Sequence, residues 1–313
     1  MDRIAATLKT YYDIDTADIM PQQGGWAALA YRVSDTSRSY FLKLYEKSRA
    51  STPKWTAKID VYVPILMWLA QHSGLKGKLP VPYVTKNGRY RCEDEEGIYM
   101  LYEYIEGETI GGRPLTGEQV RLFADIVAEL HAYGENIPAA ADAVIEDFAV
   151  PFLQSLRQTL EKGEGGLPGD LGELLAAHAA ALRELIGSVD RLAAVLKTGG
   201  QRKVLCHMDL HHWNLMQSGS RLMLIDWEGL RLAPPEADLM FIAEQPYFDE
   251  FMSIYRQRHS DYAIDLDALR FYQGRRRLED IWEFMEQLLF DNQEPEEKAK
   301  TLASLKKELE EMA

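Results

Sequence analysis

The sequence predicts an α+β protein of two lobes, a small β-rich N-terminal lobe over residues 1–104 and a larger, mostly helical lobe over 105–313. Three observations predict it. The chain has 313 residues, beyond the size at which a single hydrophobic core keeps growing. Its first third alternates short β-rich runs with turn signals and closes on G-I-Y-M-L-Y-E-Y-I-E-G at 97–107. After that run the chain turns to long segments of helical apolar periodicity. The boundary lies where the strand run gives way to a linker, near Glu103 to Glu106.

Residues 2–12 form an amphipathic helix with Ile4, Leu8 and Tyr11 on one side. Gly24 and Gly25 then precede W-A-A-L-A-Y-R-V-S and, after a polar turn, Y-F-L-K-L-Y, a predicted hairpin. The glycines allow a bend and a close backbone approach; without a G-x-G-x-x-G pattern, the pair alone reads as a turn. Residues 54–74 form a helical segment closed by Gly74, with Pro64 imposing a kink or an early start. Strand and turn signals follow at Leu79–Val84, Asn87-Gly88 and Gly97–Tyr104. Helices are predicted at about 116–134, 145–161 and 171–197, where Leu175, Leu182, Val189 and their neighbours read as core. Further helices are expected at about 236–258, 266–290 and 295–312.

Composition narrows the function. The apolar fraction of 46% and charged fraction of 27% are those of a globular protein. No apolar run approaches the roughly 20 residues that cross a bilayer, and the N-terminus lacks the apolar core of a signal peptide. Only Cys92 and Cys206 are present, far apart, which argues against a disulfide framework and for a cytoplasmic protein with free thiols. With 35 basic against 49 acidic residues, the net charge of −14 disfavours nucleic acid and suits a cationic small molecule.

The chemistry concentrates between Val204 and Asp238. V-L-C-H-M-D-L-H-H-W-N-L-M, a short turn and R-L-M-L-I-D-W-E read as the two apolar strands of one hairpin, each delivering a carboxylate at its end. Asp209 follows the first strand, Asn214 stands five residues on, and Asp226 ends the second. Magnesium prefers such hard oxygens and usually takes one or two carboxylates together with substrate phosphates. The spacing H-x-D-x-x-x-x-N, followed by a strand ending in I-D, is the catalytic-loop and metal-loop pair of phosphoryl transfer on the protein-kinase-like fold. Asp209 is the candidate base, Asn214 and Asp226 the candidate Mg²⁺ ligands, and His207 a brace for the loop. Upstream, Lys43 in its β-run is either an edge-strand charge or the cation aimed at the α- and β-phosphates of ATP. Asp60, on the following helix, is the candidate acid to orient that lysine. Singly, these residues are ordinary turn formers and caps; together, in this order, they specify a phosphotransferase. An alternative of another class is a zinc metallohydrolase using the His207, Asp209, His211 and His212 cluster, which leaves Lys43, Asn214 and Asp226 without a task.

With these residues in view, the chain resembles the aminoglycoside phosphotransferase and choline-kinase family, the small-molecule branch of the protein-kinase-like fold. Y-F-L-K-L at 40–44, V-L-C-H-M-D-L-H-H-W-N at 204–214 and I-D-W-E at 225–228 carry the likeness, joined by L-A-P-P-E-A-D-L-M-F-I at 232–242 and R-R-L-E-D-I at 276–281. The resemblance implies ATP and Mg²⁺ as cofactors, Asp209 as the catalytic aspartate, Asn214 and Asp226 as metal ligands, and Lys43 as the phosphate-binding lysine. It further implies adenine contacts from the backbone of Glu103, Tyr104 and Ile105, and a phosphate cover formed by the segment Gln23 to Ala27, with Gly24 and Gly25 in it. D-W-E stands where protein kinases have D-F-G. Glu228 and Asp238 are expected to receive the amino groups of a cationic acceptor, or else to cap helices and pack the lobe. The implied reaction is transfer of the γ-phosphoryl group of ATP to a hydroxyl of an aminoglycoside or aminocyclitol, as in antibiotic resistance. The alternative is a housekeeping kinase of choline, homoserine, a thiamine precursor or a sugar. A monomer is the expected form.

Overall fold

The computed structural model describes residues 2–24, 27–134, 137, 141–163 and 166–312. By internal contacts it divides into two compact units, residues 1–145 with 203–263, and residues 146–202 with 264–313. The lobe boundary expected at 104/105 falls within the first unit.

The first unit opens with α1 (Asp2–Tyr12) and an antiparallel sheet of β1 (Asp18–Gln22), β2 (Leu29–Ser34), β3 (Ser39–Glu46), β4 (Cys92–Glu93) and β5 (Gly97–Glu103), in the order β1-β2-β3-β5-β4. β2 and β3 form the predicted hairpin, with Ala30 opposite Lys43. Side chains alternate across a strand, so Tyr40, Leu42 and Leu44 join Ile4 and Leu8 of α1 in one buried cluster. Phe41, Lys43 and Tyr45 therefore face the other way. β3 lies between β2 and β5, which removes the edge-strand explanation of Lys43.

The helical segment expected over 54–74 is two helices, α2 (Thr52–Thr56) and α3 (Ile59–His72), with Pro64 inside the second. Proline lacks the N–H that would bond four residues back, so Pro64, the sixth residue of this helix, leaves one helical bond unmade in its second turn. Next come β6 (Glu108–Thr109) and α4 (Gly117–Leu130), whose N-terminus carries a reciprocal capping box between Thr116 and Gln119.

The stretch after residue 203 departs from the expected single hairpin. β7 (Val204–Cys206) pairs with β10 (Arg231–Ala233), whereas β8 (Leu215–Ser218) and β9 (Arg221–Leu224) form the tight hairpin, turning at Gly219 with φ +60°. The 207–214 loop consequently springs from one strand pair and the Asp226 loop from the other. The helix expected over 236–258 is divided into α7 (Glu236–Leu239) and α8 (Phe248–Arg258), and α8 packs on α4.

The second unit is helical: α5 (Leu153–Glu161), α6 (Gly169–Thr198), α9 (Leu266–Phe290) and α10 (Pro295–Glu310), with α9 packed on both α6 and α10. Gly274 allows the α6–α9 approach, because a Cβ there would lie 2.8 Å from Val189. A buried ion pair, Arg275 to Glu146 at 2.9 Å, fixes the entry to α5.

Candidate active site

Strand alternation delivers Lys43 to the face opposite the α1 core. Its Nζ lies 2.7 Å from Asp226 Oδ1 and 2.5 Å from Glu228 Oε1. Burial acts to lower the Lys43 pKa, but the two carboxylates outweigh it and hold the amine well above its usual range. Glu228, 8% exposed, also accepts a hydrogen bond from the Tyr45 hydroxyl. Burial pushes its carboxyl up and Lys43 pulls it further down, so the net shift is downward and it stays ionised.

This arrangement corrects two expectations. Asp60 does not reach Lys43; it lies beside Arg91, Oδ2 to Nε at 3.6 Å. Glu228, expected to meet the acceptor, is buried against Lys43 and Tyr45 instead. Tyr45 itself was legible, because a residue two positions from Lys43 on a strand shares its face.

The 207–209 segment is held from behind. His207 N–H donates to Asp238 Oδ2 at 2.9 Å and Met208 N–H to Asp238 Oδ1 at 2.7 Å. His131 Nε2 lies 3.1 Å from the same Oδ2, and its Nδ1 lies 2.9 Å from the Tyr255 hydroxyl. Both His131 and Asp238 are fully buried. Asp238 was the second carboxylate expected at the acceptor; its oxygens serve the loop. Met208 takes a left-handed backbone, φ +73°, which puts its Cβ beside Gly229. A Cβ on Gly229 would lie 3.0 Å from His207 O and 3.2 Å from Met208 Cβ.

His207 joins the two loops as a brace. Burial lowers its pKa and favours the neutral ring. Its Nε2 donates to Ile225 O at 2.8 Å and its Nδ1 accepts from Asp209 N–H at 3.3 Å. The ring stands edge-on to Trp227, whose indole N–H donates to Leu224 O at 2.7 Å. Asp209 and the residue before Asp226 are thus tied through one imidazole. Asn214 Nδ2 donates to Asp209 O at 2.8 Å and to Asp209 Oδ2 at 2.9 Å. With its nitrogen so engaged, Asn214 offers Oδ1 as its remaining ligand atom. Asp226, at φ +65° with its side chain 39% exposed, offers a carboxylate. These are the hard oxygens that Mg²⁺ takes, so the residues present fit that ion.

The zinc alternative is not supported. Both ring nitrogens of His207 are engaged in backbone hydrogen bonds, and His212 Nε2 lies 2.7 Å from the Tyr247 hydroxyl. Among the described residues, the three side chains close enough to share an ion are His131, Cys206 and Asp238.

Around the rim, β5 ends at Glu103, and Tyr104 N–H donates to Ser39 O at 3.4 Å. Arg32 lies over the Tyr104 ring at 4.3 Å, leaving Ile105 partly exposed in the connection to β6. Gly24 sits against β2, where a Cβ would lie 2.8 Å from Ala28 O. Gly25 lies outside the described residues.

Residues 18–296 match the Phosphotransferase enzyme family. Protein StrN of Streptomyces griseus is 29% identical over 225 residues, which are 69% of this chain and 66% of the relative, just under two thirds of it. Among solved structures, spectinomycin phosphotransferase APH(9)-Ia in complex with ADP and spectinomycin aligns with a TM-score of 0.75 at 21% identity, over 99% of this chain and 97% of that one. The microcompartment-associated aminopropanol kinase gives 0.66 at 17%, over 99% and 95%. Choline kinase LicA from Streptococcus pneumoniae gives 0.62 at 17%, over 99% and 98%. These structural likenesses establish the protein-kinase-like fold. The match across most of the chain establishes the lineage as well: it belongs to the Phosphotransferase enzyme family.

Proposed function

We propose that this protein transfers the γ-phosphoryl group of ATP to a hydroxyl of a small cationic molecule, with an aminocyclitol of the spectinomycin kind or an aminoglycoside as the first candidate acceptor. The observation that carries this is the joint arrangement of Lys43, Asp226, Asp209 and Asn214 around His207. In phosphoryl transfer little covalent work falls to the protein, and positioning with electrostatic stabilisation does most of it. Lys43 exchanges one of its carboxylate contacts for nucleotide phosphate oxygens, while buried Glu228 keeps the amine aimed. Asp209 orients the acceptor hydroxyl and accepts its proton late. Asn214 Oδ1 and the Asp226 carboxylate would hold Mg²⁺, which supplies charge neutralisation for the phosphate oxygens. The connection Glu103–Ile105 would receive the adenine, and residues 1–104 would act as the nucleotide lobe.

With Glu228 and Asp238 both engaged internally, acceptor choice falls to other side chains. Spectinomycin, bound in one structurally similar kinase, and choline, for which another is named, support an alcohol bearing a cationic nitrogen as the class. The test is a magnesium-dependent ATP-consumption screen over spectinomycin, aminoglycosides, choline, homoserine and methylthioribose. Turnover of an alcohol bearing a cationic nitrogen is expected. Asp209→Asn should keep Mg-ATP affinity while losing turnover by about 10³-fold. A wild-type protein without magnesium-dependent ATP binding overturns the proposal.

A further inference from the structure

We infer that Tyr45 is a positioning residue for Lys43, its hydroxyl clamping to strand β3 the Glu228 carboxylate that aims the amine; this rests on the phosphotransferase reading above. Lys43 and Tyr45 stand two positions apart on β3, so their side chains leave one face about 6.7 Å apart. Both reach the same atom. Lys43 Nζ donates to Glu228 Oε1 at 2.5 Å, and the Tyr45 hydroxyl donates to that oxygen as well. A carboxylate oxygen has two lone pairs to offer, so Oε1 is filled from one strand. Glu228 comes from the short 3₁₀ turn Trp227–Gly229 that follows Asp226, so the clamp also ties that turn to β3.

Helix α3 does not share this task. Its acid, Asp60, lies beside Arg91. Its Tyr62 hydroxyl donates to Met100 Sδ at 3.6 Å, and so does the hydroxyl of Tyr102. Met100 stands opposite Lys43 in the β3–β5 register, so both phenols work on the sheet face that carries Lys43, yet they direct their protons at sulfur. That leaves Tyr45 as the phenol that meets Glu228. Space filling does not account for it, since phenylalanine would fill the same fully buried place and bring no polar atom that needs a partner. What the hydroxyl adds is a second donor of fixed position. The lysine ammonium is a point charge on a flexible stem, and a glutamate held by that amine alone would swing with it. An ammonium also carries three N–H donors. With Tyr45 holding Oε1, Lys43 can turn from Asp226 to a phosphate oxygen while Glu228 keeps its direction.

The experiment has two arms. The first is the crystal structure of full-length Tyr45→Phe without nucleotide. The Glu228 carboxylate is expected to leave its wild-type place against Lys43 or to take more than one rotamer. A carboxylate unmoved from Lys43 overturns the inference. The second arm measures Mg-ATP binding by calorimetry in a double-mutant cycle with Glu228→Leu. Tyr45→Phe should weaken binding about 5-fold in the wild-type background and less than about 2-fold in the Glu228→Leu background, because the hydroxyl acts through Glu228. Unchanged binding in the single variant, or an equal loss in both backgrounds, overturns the positioning role. The crystallographic arm decides whether or not Glu228→Leu folds. Failure of the phosphotransferase reading shows separately, as absent Mg-ATP binding by the wild type, and the first arm decides without it.

Discussion

Met208 and Asp226 both take left-handed backbones, φ +73° and +65°, at the heads of the two loops that carry the site, yet opposite means hold them. The 207–209 segment hangs on Asp238, a fully buried carboxylate that accepts two backbone N–H groups and His131. Nothing a substrate brings competes for those bonds. The Asp226 side chain is held by an ion pair to Lys43, with Asp226 39% exposed, and on the proposed reading phosphate oxygens and a metal ion would compete for both partners. On the proposed reading the base is thereby preset, whereas the phosphate side keeps contacts that can be exchanged. Catalysis by positioning asks for this division, since a misplaced base is costly and an amine fully satisfied by protein would have nothing left for the nucleotide.

Breaking the preset side should have the largest effect. Asp238→Ala strands His131 Nε2–H and the N–H groups of His207 and Met208 in a buried place. At about 1–3 kcal/mol for each unsatisfied donor, a stability loss of about 3 kcal/mol or more is expected in urea unfolding. Phosphoryl transfer should fall even at temperatures where the variant remains folded. If Asp238→Ala unfolds at the wild-type urea midpoint, the loop is not suspended from this residue.

Breaking the exchangeable side should show first in nucleotide binding. Lys43→Met is expected to weaken Mg-ATP binding by about 10-fold or more and to leave Glu228 buried beside an apolar side chain. The pair also has a defined pH signature. Burial opposes the charge on both partners, but attraction prevails, raising Lys43 above 10.5 and lowering Glu228 below 4.5. Glu228 therefore contributes stability in full above its unfolded value and loses it as pH falls through the depressed folded value. The Lys43 contribution is full below its unfolded value and is lost as pH rises through the elevated folded one. The difference in unfolding free energy between wild type and Glu228→Gln should accordingly stay flat between roughly pH 5.5 and 9.5 and shrink on the acid side. A difference that varies across neutral pH would mean that the pair titrates there and is not the fixed element described.

The sequence exposed what is local and hid what is distant. H-x-D-x-x-x-x-N and I-D lie within one stretch, so their spacing alone names Asp209, Asn214 and Asp226 as candidates. Lys43 could be placed on a strand from its neighbours. The partners of Glu228 and Asp238 could not be read, because Lys43 lies 185 residues from Glu228 and His131 lies 107 residues from Asp238. An acidic side chain after a metal loop looks available until the chain folds onto it. Asp60 failed for the same reason in reverse: its helix was legible, but not which way the helix presents it. The single hairpin expected over 204–226 failed because apolar patterning marks β7 and β9 as strands without saying that β10 is the partner of β7.

The smallest expected effect tests how the preset loop tolerates a side chain at 208. A left-handed backbone costs a non-glycine residue about 1–2 kcal/mol, and glycine adds an unfolded-state penalty of about 0.5–1 kcal/mol. Met208→Gly should therefore gain about 0.5 kcal/mol in urea unfolding. The gain should come without change in Mg-ATP affinity, because Asp238 holds the N–H and not the side chain. Gly229→Ala probes the same contact from the other loop, since its Cβ would lie 3.2 Å from Met208 Cβ and 3.0 Å from His207 O. It should destabilise the wild type and cost less in the Met208→Gly background, where the first of those two contacts is gone. Additive effects in that double-mutant cycle would mean that the His207 carbonyl alone requires glycine at 229. The two loops would then be coupled through backbone and imidazole, and not through the side chain at 208.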